Sequence, residues 1–467
     1  MADTQGSDAG TQSLSTGLKT RHLTMMGLGS AIGAGLFLGT GAAINVAGPA
    51  VLLSYAAAGL LVVLVMWGLG EMSAARPESG SFSTYAELAF GRLPGFVTGW
   101  LYWYMLVMVM GAELTGAAQI VGGWFDVDPW IPAMIAMVGF TVVNLTRVAN
   151  FGEFEFWFAF IKVAVIIAFL VIGVLLVFGW LPNTDAPGLD NLLHHGGFMP
   201  NGWSGVAAGL LAVAFAFGGI ELVTIAAAES SDPATAVRRA VRSVVGRIVV
   251  FYLGSVLIIA LLLPWDTLAK ADEAAQSPFT AVLSMAKIDG IVGVMEVVIV
   301  IALLSAFNAQ MYGTSRMMYA LCRRGAGPRA LARVSGSGVP TVALLVSVAA
   351  GFLVVLLNFL EIKGLLTFLL NAVGATLLFI WGMSAAAQLV LRRKFDAEGD
   401  LPVRMWGYPY SGFLALALLA ALTVLMLTDD DARTQLVAMV VVVLVLSALG
   451  VLNQAVGRRR VGVGRRD

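Results

Sequence analysis

The residues best equipped for chemistry in this chain lie inside apolar stretches. The segment "GLGSAIGAGLFLGTG", residues 27–41, holds six glycines in fifteen positions. That exceeds what one helix-packing face uses, and each interior glycine weakens a helix by about 1 kcal/mol relative to alanine. A second weak point, "AFAFGGIELVT", sets Gly218 and Gly219 before Glu221. Helices interrupted at these places expose free N–H groups where one half begins and free carbonyls where the other ends. The N–H groups around Gly33, Ala34 and Gly35 make a nest for a carboxylate, whereas carbonyls near Ala31, Phe215 and Gly218 accept hydrogen bonds from an ammonium. An anion acceptor beside a cation acceptor describes a site for an amino acid.

Three ionisable residues share this apolar setting. Glu113, in "VMGAELTGAAQ", has no lysine or arginine beside it in sequence. An unpaired carboxylate is costly to bury, so the expectation is a protonated or water-facing group with a substrate or proton role, set against a plain structural hydrogen bond. Glu221 either caps the inner half of its helix or handles protons. Lys162, in "FWFAFIKVAVII", lies about eight residues into its span, roughly 12 Å at 1.5 Å per residue; it either snorkels to the interface or serves coupling. Ser30, Thr224, Asn308 and Asn371 are softer candidates, with hydrogen bonds between helices as the default. Glu71 and Glu229, near span ends, are read as organisers of basic loops, and Glu296 as solvated near the outer surface. The lone Cys322 has no internal disulfide partner and reads as a small hydrophobe. His22, His194 and His195 fall outside the apolar stretches. The chain carries no CxxC, HExxH, phosphate loop or Ser/His/Asp grouping, so neither enzyme chemistry nor a cofactor, a metal or a nucleic-acid partner is expected.

The elements that hold these residues follow from composition. The chain has 467 residues, 59% hydrophobic and only 12% charged, with a mean hydropathy of +0.88. These values exclude an ordinary soluble globule and describe an all-α polytopic membrane protein. Twelve apolar spans are expected, at about 23–47, 49–70, 94–121, 130–147, 154–179, 204–228, 242–264, 291–320, 339–359, 364–391, 409–428 and 434–454. Basic residues collect in alternate loops, among them Arg238, Arg239, Arg323, Arg324, Arg392, Arg393 and Lys394, with Arg247 and Arg316 counted alongside them. The opposite loops hold Lys270, Lys287, Lys363 and Arg433 amid acids such as "DDD" at 429–431. The positive-inside rule then puts both termini in the cytoplasm. Residues 1–17 read as a disordered cytoplasmic tail without a signal peptide, and 456–467 as a basic tail. Interrupted spans one and six lie five apart. Because five is odd, residues 23–179 and 204–391 form an inverted-topology repeat, with the spans at 409–454 appended and a substrate site between the two breaks.

The segments "LKTRHLTMMGLGSAIGAGLFLG", "AGPAVLLSYAAAGLLVVLVMWGLGEMSAARPESGSFSTYA", "FGEFEFWFAFIKV", "AFGGIELVTIAAAESSDP" and "SRMMYALCRRG", in this order, resemble the amino acid permeases of the amino acid–polyamine–organocation superfamily, over residues 18–455. The resemblance implies a leucine-transporter-like fold of five plus five helices with two more, and proton-driven amino acid uptake across the cell membrane. It assigns Ile32, Gly33, Ala34 and Gly35 to the substrate carboxylate, the Ala31 carbonyl to the amino group and Phe215 to an aromatic gate. It places Lys162 where sodium-coupled cousins bind a sodium ion. The partners implied are an amino acid, protons and membrane lipid. An obligatory exchanger and a non-transporting amino acid sensor are the alternatives. The segment around Glu221 mixes features of GABA, aromatic and proline carriers, which leaves the substrate side chain open.

Overall fold

The structure, a computed structural model, describes Met25 and residues 32–463 except 79, 146–147, 183, 185, 228–231, 269–276, 337 and 400. Ser30, Ala31, Glu229, His22, the tail at 1–17 and the inner part of the first span lie outside the described residues. Every regular element among the described residues is helical. A π-helical turn, Gly35–Gly39, runs into α1 (Thr40–Ala47); then follow α2 (Val51–Ala75), α3 (Ser81–Phe90), α4 (Arg92–Phe125), α5 (Trp130–Asn144) and α6 (Val148–Val177). The second half comprises α7 (Gly202–Ala216), α8 (Leu222–Ala227), α9 (Pro233–Arg247), a π-helical turn Ile248–Leu253 and α10 (Gly254–Leu262). It continues with α11 (Pro278–Ser284), α12 (Ile291–Arg323), α13 (Thr341–Phe359), α14 (Leu365–Glu398), α15 (Tyr410–Met426) and α16 (Asp430–Val463).

Each apolar interval of the sequence carries helix, broken by a turn at 217–221 within the sixth. Among those residues, 8 helical runs are long and apolar enough to cross a membrane, and Trp130–Asn144, Gly202–Ala216 and Tyr410–Met426 are shorter apolar helices. The longest run, Gly35–Ala75, changes direction at Gly48, where φ is 65°. A side chain there would meet Pro200 Cγ at 2.4 Å, so only glycine permits both the turn and the close approach. Helical runs of this length and apolarity are those of a multi-pass membrane protein.

Burial separates the helices that carry the site from those that face lipid. The apolar window of α4 is 83% buried and that of α14 72%, against 28% for α6 and 11% for α16. Helix α4 is the central post, in contact with α3, α5, α12, α13, α14 and α16. Helix α6 buries one narrow stripe, Gly152, Glu155, Ala159, Lys162, Ile166, Phe169, Gly173 and Leu176, at the three- and four-residue spacing of a single helix face. Its other face exposes Phe154, Trp157, Phe160, Ile167 and Val171. In a bilayer such a surface is solvated by acyl chains.

Candidate functional site at two helix interruptions

The first interruption ends at Gly33. Its carbonyl accepts from the N–H groups of Leu36 and Phe37, both at 3.1 Å, which starts the helix and leaves the preceding donors to find other partners. Ala34 N–H donates to Glu113 Oε2 of α4 at 2.9 Å. A Cβ on Gly33 would lie 2.3 Å from Glu113 Oε1. The nest around Gly33 and Ala34 thus already holds a carboxylate, supplied by the protein itself. Of the two states expected of Glu113, protonated or water-facing, burial removes the second: the residue is 3% exposed, backbone-bonded and within electrostatic reach of Lys162. Its cation comes from another helix, which sequence neighbours do not reveal.

Gly35 has a packing role. A Cβ there would stand 2.4 Å from Ala216 Cα and 2.8 Å from Phe215 Cδ1, so its hydrogen lets the start of the first helix press against the end of α7. Ile32 and Ala34 are both buried in the same core. The π-helical turn that follows is held from outside, because the Phe37 carbonyl accepts from Ser277 Oγ at the start of α11, at 2.7 Å.

The second interruption lies between α7 and α8. Phe217 N–H donates to Ala214 O and Gly218 N–H to Phe215 O at 2.8 Å, so the last turn of α7 tightens before the chain leaves it. Gly219 has a φ of 94°, a left-handed conformation open to glycine. The Phe215 carbonyl, expected to be free for an ammonium, therefore already has one donor. The Phe215 ring is 3% exposed and packs towards Gly35.

Glu221 sits immediately before α8. Its carbonyl accepts from Thr224 N–H at 2.9 Å and Thr224 Oγ1 at 2.7 Å. Its carboxylate accepts from Gly219 N–H and from the Tyr102 hydroxyl of α4, each at 3.3 Å. Arg247 lies within its electrostatic reach without ion-pairing to it.

Lys162 is completely buried on the inner stripe of α6, which overturns snorkelling as an account of it. It faces two carboxylates, Glu113 of α4 and Glu155 of its own helix. Glu155 is 1% exposed and accepts from Ser305 Oγ at 3.2 Å and Asn308 Nδ2 at 3.1 Å; Asn308 Oδ1 in turn accepts from Asn144 Nδ2 at 2.7 Å. Glu155 does not stand out in the sequence, because it opens an apolar window where interface residues are common. The signal that finds it is its position seven residues before Lys162, on the same helix face.

Lys162 shares the interior with two arginines. Arg247 and Arg316, counted with the loops, are 3% and 1% exposed inside helical segments. Arg316 stacks its guanidinium 3.9 Å from the centre of the Tyr312 ring. Among the acids, Glu71 is buried and bonded to Arg392, to Gln388 Nε2 at 2.8 Å and to Met405 N–H at 2.6 Å, whereas Glu296 accepts from Trp124 Nε1 near the surface.

Comparison of the sequence with known proteins matches it to a transporter family. The sequence model of the family described as amino acid permease matches residues 22–460. The aromatic amino acid transport protein AroP of Corynebacterium glutamicum is 60% identical over 432 residues, 92% of this chain and 93% of that protein. A probable GABA permease of Pseudomonas aeruginosa is 42% identical over 94% of this chain and 93% of its own length. The gamma-aminobutyric acid permease of Bacillus subtilis is 41% identical over 90% and 89%. Relatives of this kind are transporters and not enzymes. With a family match spanning nearly all of its length and two interrupted helices at its centre, the chain belongs to the amino acid permease family.

Proposed function

We propose that the chain imports amino acids across the cell membrane by proton symport, with the zwitterion held between the two interrupted segments. In this reading twelve segments cross the bilayer as an inverted repeat of five and five with two appended, and both termini are cytoplasmic. The observation that carries the reading is the hydrogen bond from Ala34 N–H to Glu113. A substrate carboxylate that enters this nest meets a carboxylate already there, and two negative groups do not share one backbone donor. A proton on Glu113 removes that repulsion and frees Ala34 N–H, so proton and substrate arrive together. The carbonyl of Gly218 and the unused lone pair of Phe215 O then face the substrate ammonium.

Lys162 supplies the link to helix movement in the same reading. Its ammonium lies within reach of Glu113, so the charge state of the pair governs how firmly the first helix is held to α4. The 60% identity to an aromatic amino acid transporter supports phenylalanine, tyrosine and tryptophan as the substrate class. The GABA permeases at 42% and 41% identity support GABA as the second reading. Proteoliposomes that contain the purified protein distinguish the two: labelled phenylalanine should accumulate under an inward proton gradient, and tyrosine and tryptophan should compete with it better than GABA. Uptake that requires internal amino acid and ignores the gradient would assign the protein to exchange. Binding without any uptake would assign it to sensing.

A further inference from the structure

We propose that Glu155 is a second proton-bearing group of this transporter, and that Glu113, Lys162 and Glu155 form one relay running from the substrate nest towards the cytoplasm. The proposal rests on the symport reading and adds to it the residue that releases the proton.

The argument begins with a charge count. Glu113, Lys162 and Glu155 are 3%, 0% and 1% exposed, and Lys162 is within electrostatic reach of both carboxylates. Two carboxylates and one ammonium leave one excess negative charge when all are ionised. Such a charge is expensive in a protein core within a bilayer, so a neutral cluster holds one additional proton on one of its carboxyls. Lys162, within electrostatic reach of both, stabilises whichever is ionised.

The remaining neighbours do not cancel that excess. Glu155 receives neutral donors from α12, Ser305 Oγ and Asn308 Nδ2, and Asn308 is oriented by Asn144 of α5. Glu113 receives Ala34 N–H and lies within electrostatic reach of Tyr252 of the π-helical turn after α9. A purely structural role at position 155 needs no charge: a glutamine would accept from Asn308 Nδ2 with its carbonyl and donate its amide N–H to the Ser305 hydroxyl without the desolvation cost of an ion.

The geometry gives the proton a direction. Glu155 precedes Lys162 by seven residues, about 10 Å along the helix towards Val148, the end that the basic-loop pattern assigns to the cytoplasm. The transfer balances in two steps. The Lys162 ammonium gives a proton to the Glu155 carboxylate, leaving a neutral amine and a carboxylic acid. The amine then takes the proton from the Glu113 carboxylic acid, which restores the ammonium and leaves Glu113 as a carboxylate. The net change is one proton moved from Glu113 to Glu155, which loses it to water when the inner side opens. Glu113, ionised again, returns to Ala34 N–H and competes with the substrate carboxylate.

The test uses full-length protein in liposomes. Wild type is measured for gradient-driven accumulation of labelled phenylalanine and for counterflow, which needs binding and both gates but no net proton movement. Glu155→Gln keeps an acceptor oxygen for Asn308 Nδ2, offers its amide N–H to the Ser305 hydroxyl, which can accept as well as donate, and removes the proton site. It should lose accumulation at least tenfold while counterflow falls less than about threefold, and Glu155→Asp should recover part of the accumulation. Glu155→Gln protein that accumulates like wild type overturns the relay. Wild type that shows counterflow but no gradient-driven accumulation overturns the symport reading instead, so the two failures are distinguishable. If Glu155→Gln does not reach the membrane, Ser305→Ala serves, since it removes one donor to Glu155 and keeps all three ionisable groups. Its accumulation-versus-pH profile should be displaced from that of wild type, and a superimposable profile overturns the relay.

Discussion

Tyr102 and Glu113 stand on the same helix and reach the two interrupted segments separately: Tyr102 donates to Glu221 before α8, and Glu113 accepts from Ala34 at the start of the first helix. Eleven residues apart, they are separated by about 16 Å along α4. The most buried of the eight long apolar runs therefore touches both places where backbone hydrogen bonding lapses. A shift of either interrupted segment against α4 breaks one of these contacts, so substrate and proton chemistry at one break is mechanically tied to the post that holds the other.

The two glycines of the first helix should fail in different ways. At Gly33 an added methyl meets the movable end of the Glu113 side chain, whereas at Gly35 it meets the backbone of Ala216. Gly33→Ala should keep thermal stability close to wild type and weaken substrate binding at least tenfold, about 1.4 kcal/mol. Gly35→Ala should lower stability by about 1–3 kcal/mol through overpacking. Thermal unfolding with and without substrate checks both, and equal destabilisation by the two substitutions contradicts the distinction.

Glutamine substitutions separate the roles of the glutamates at the breaks. Glu113→Gln leaves a side chain that no longer exchanges a proton, and uptake should lose most of its pH dependence. Glu221→Gln keeps a carbonyl for Tyr102 and Gly219 but loses the charge that favours the start of α8, so its main effect should be on stability, about 0.3–1 kcal/mol. Lys162→Ala should retain counterflow and lose gradient-driven accumulation. pH profiles of uptake for the three variants are the measurement; a flat profile for Glu221→Gln beside an unchanged one for Glu113→Gln would reverse the assignments.

What the sequence reveals of this site depends on how local the signal is. The interruption before Glu221 is legible because Gly218 and Gly219 adjoin within an apolar run, and α7 ends at Ala216 as that pairing requires. The expected start of the first helix near Gly33 is legible for the same reason. The Ala34–Glu113 bond spans 79 residues and leaves no local pattern, so the occupied nest appears only in three dimensions. Sequence leaves snorkelling open for Lys162 because depth along an axis says nothing about which face a side chain occupies. Arg247 and Arg316 were counted as loop residues because charge sorting presumes that cations avoid helix interiors, and buried aromatic or carboxylate neighbours supply the exceptions.

The ion pair between Glu71 and Arg392 anchors the end of α2 to α14. The Arg392 and Glu71 side chains are 8% and 1% exposed, and Glu71 also accepts from Met405 N–H. Arg392→Leu leaves a buried carboxylate without its cation and should destabilise the protein by about 3–5 kcal/mol, whereas Glu71→Leu with Arg392→Leu should cost less than the single change. Thermal unfolding of the single and double variants decides this, and a double variant less stable than Arg392→Leu contradicts it.

Asp232 caps α9 outside the membrane, accepting from Thr235 N–H at 3.1 Å. Its bonds with the Thr235 side chain and backbone hold its carboxyl below the ordinary value of 3.8. A depressed carboxyl stabilises the folded state above that ordinary value, and the contribution disappears as pH falls through the folded-state value. Hydrogen exchange in the first turn of α9 should be slower in wild type than in Asp232→Ala at about pH 7, with the difference shrinking as the pH falls below 3.8 through the folded-state value. A difference that persists in acid would show that Asp232 does not act through its charge.

The central claim is that a proton and an amino acid enter the site together because Glu113 must give up Ala34 N–H to the substrate carboxylate. Its most direct measurement is the accumulation ratio of labelled phenylalanine in proteoliposomes under an imposed inward proton gradient, with and without a protonophore. The account predicts an internal concentration above the external one that collapses to equality when the protonophore is added. Accumulation that persists with the protonophore, or equilibration without accumulation under the gradient, would contradict it.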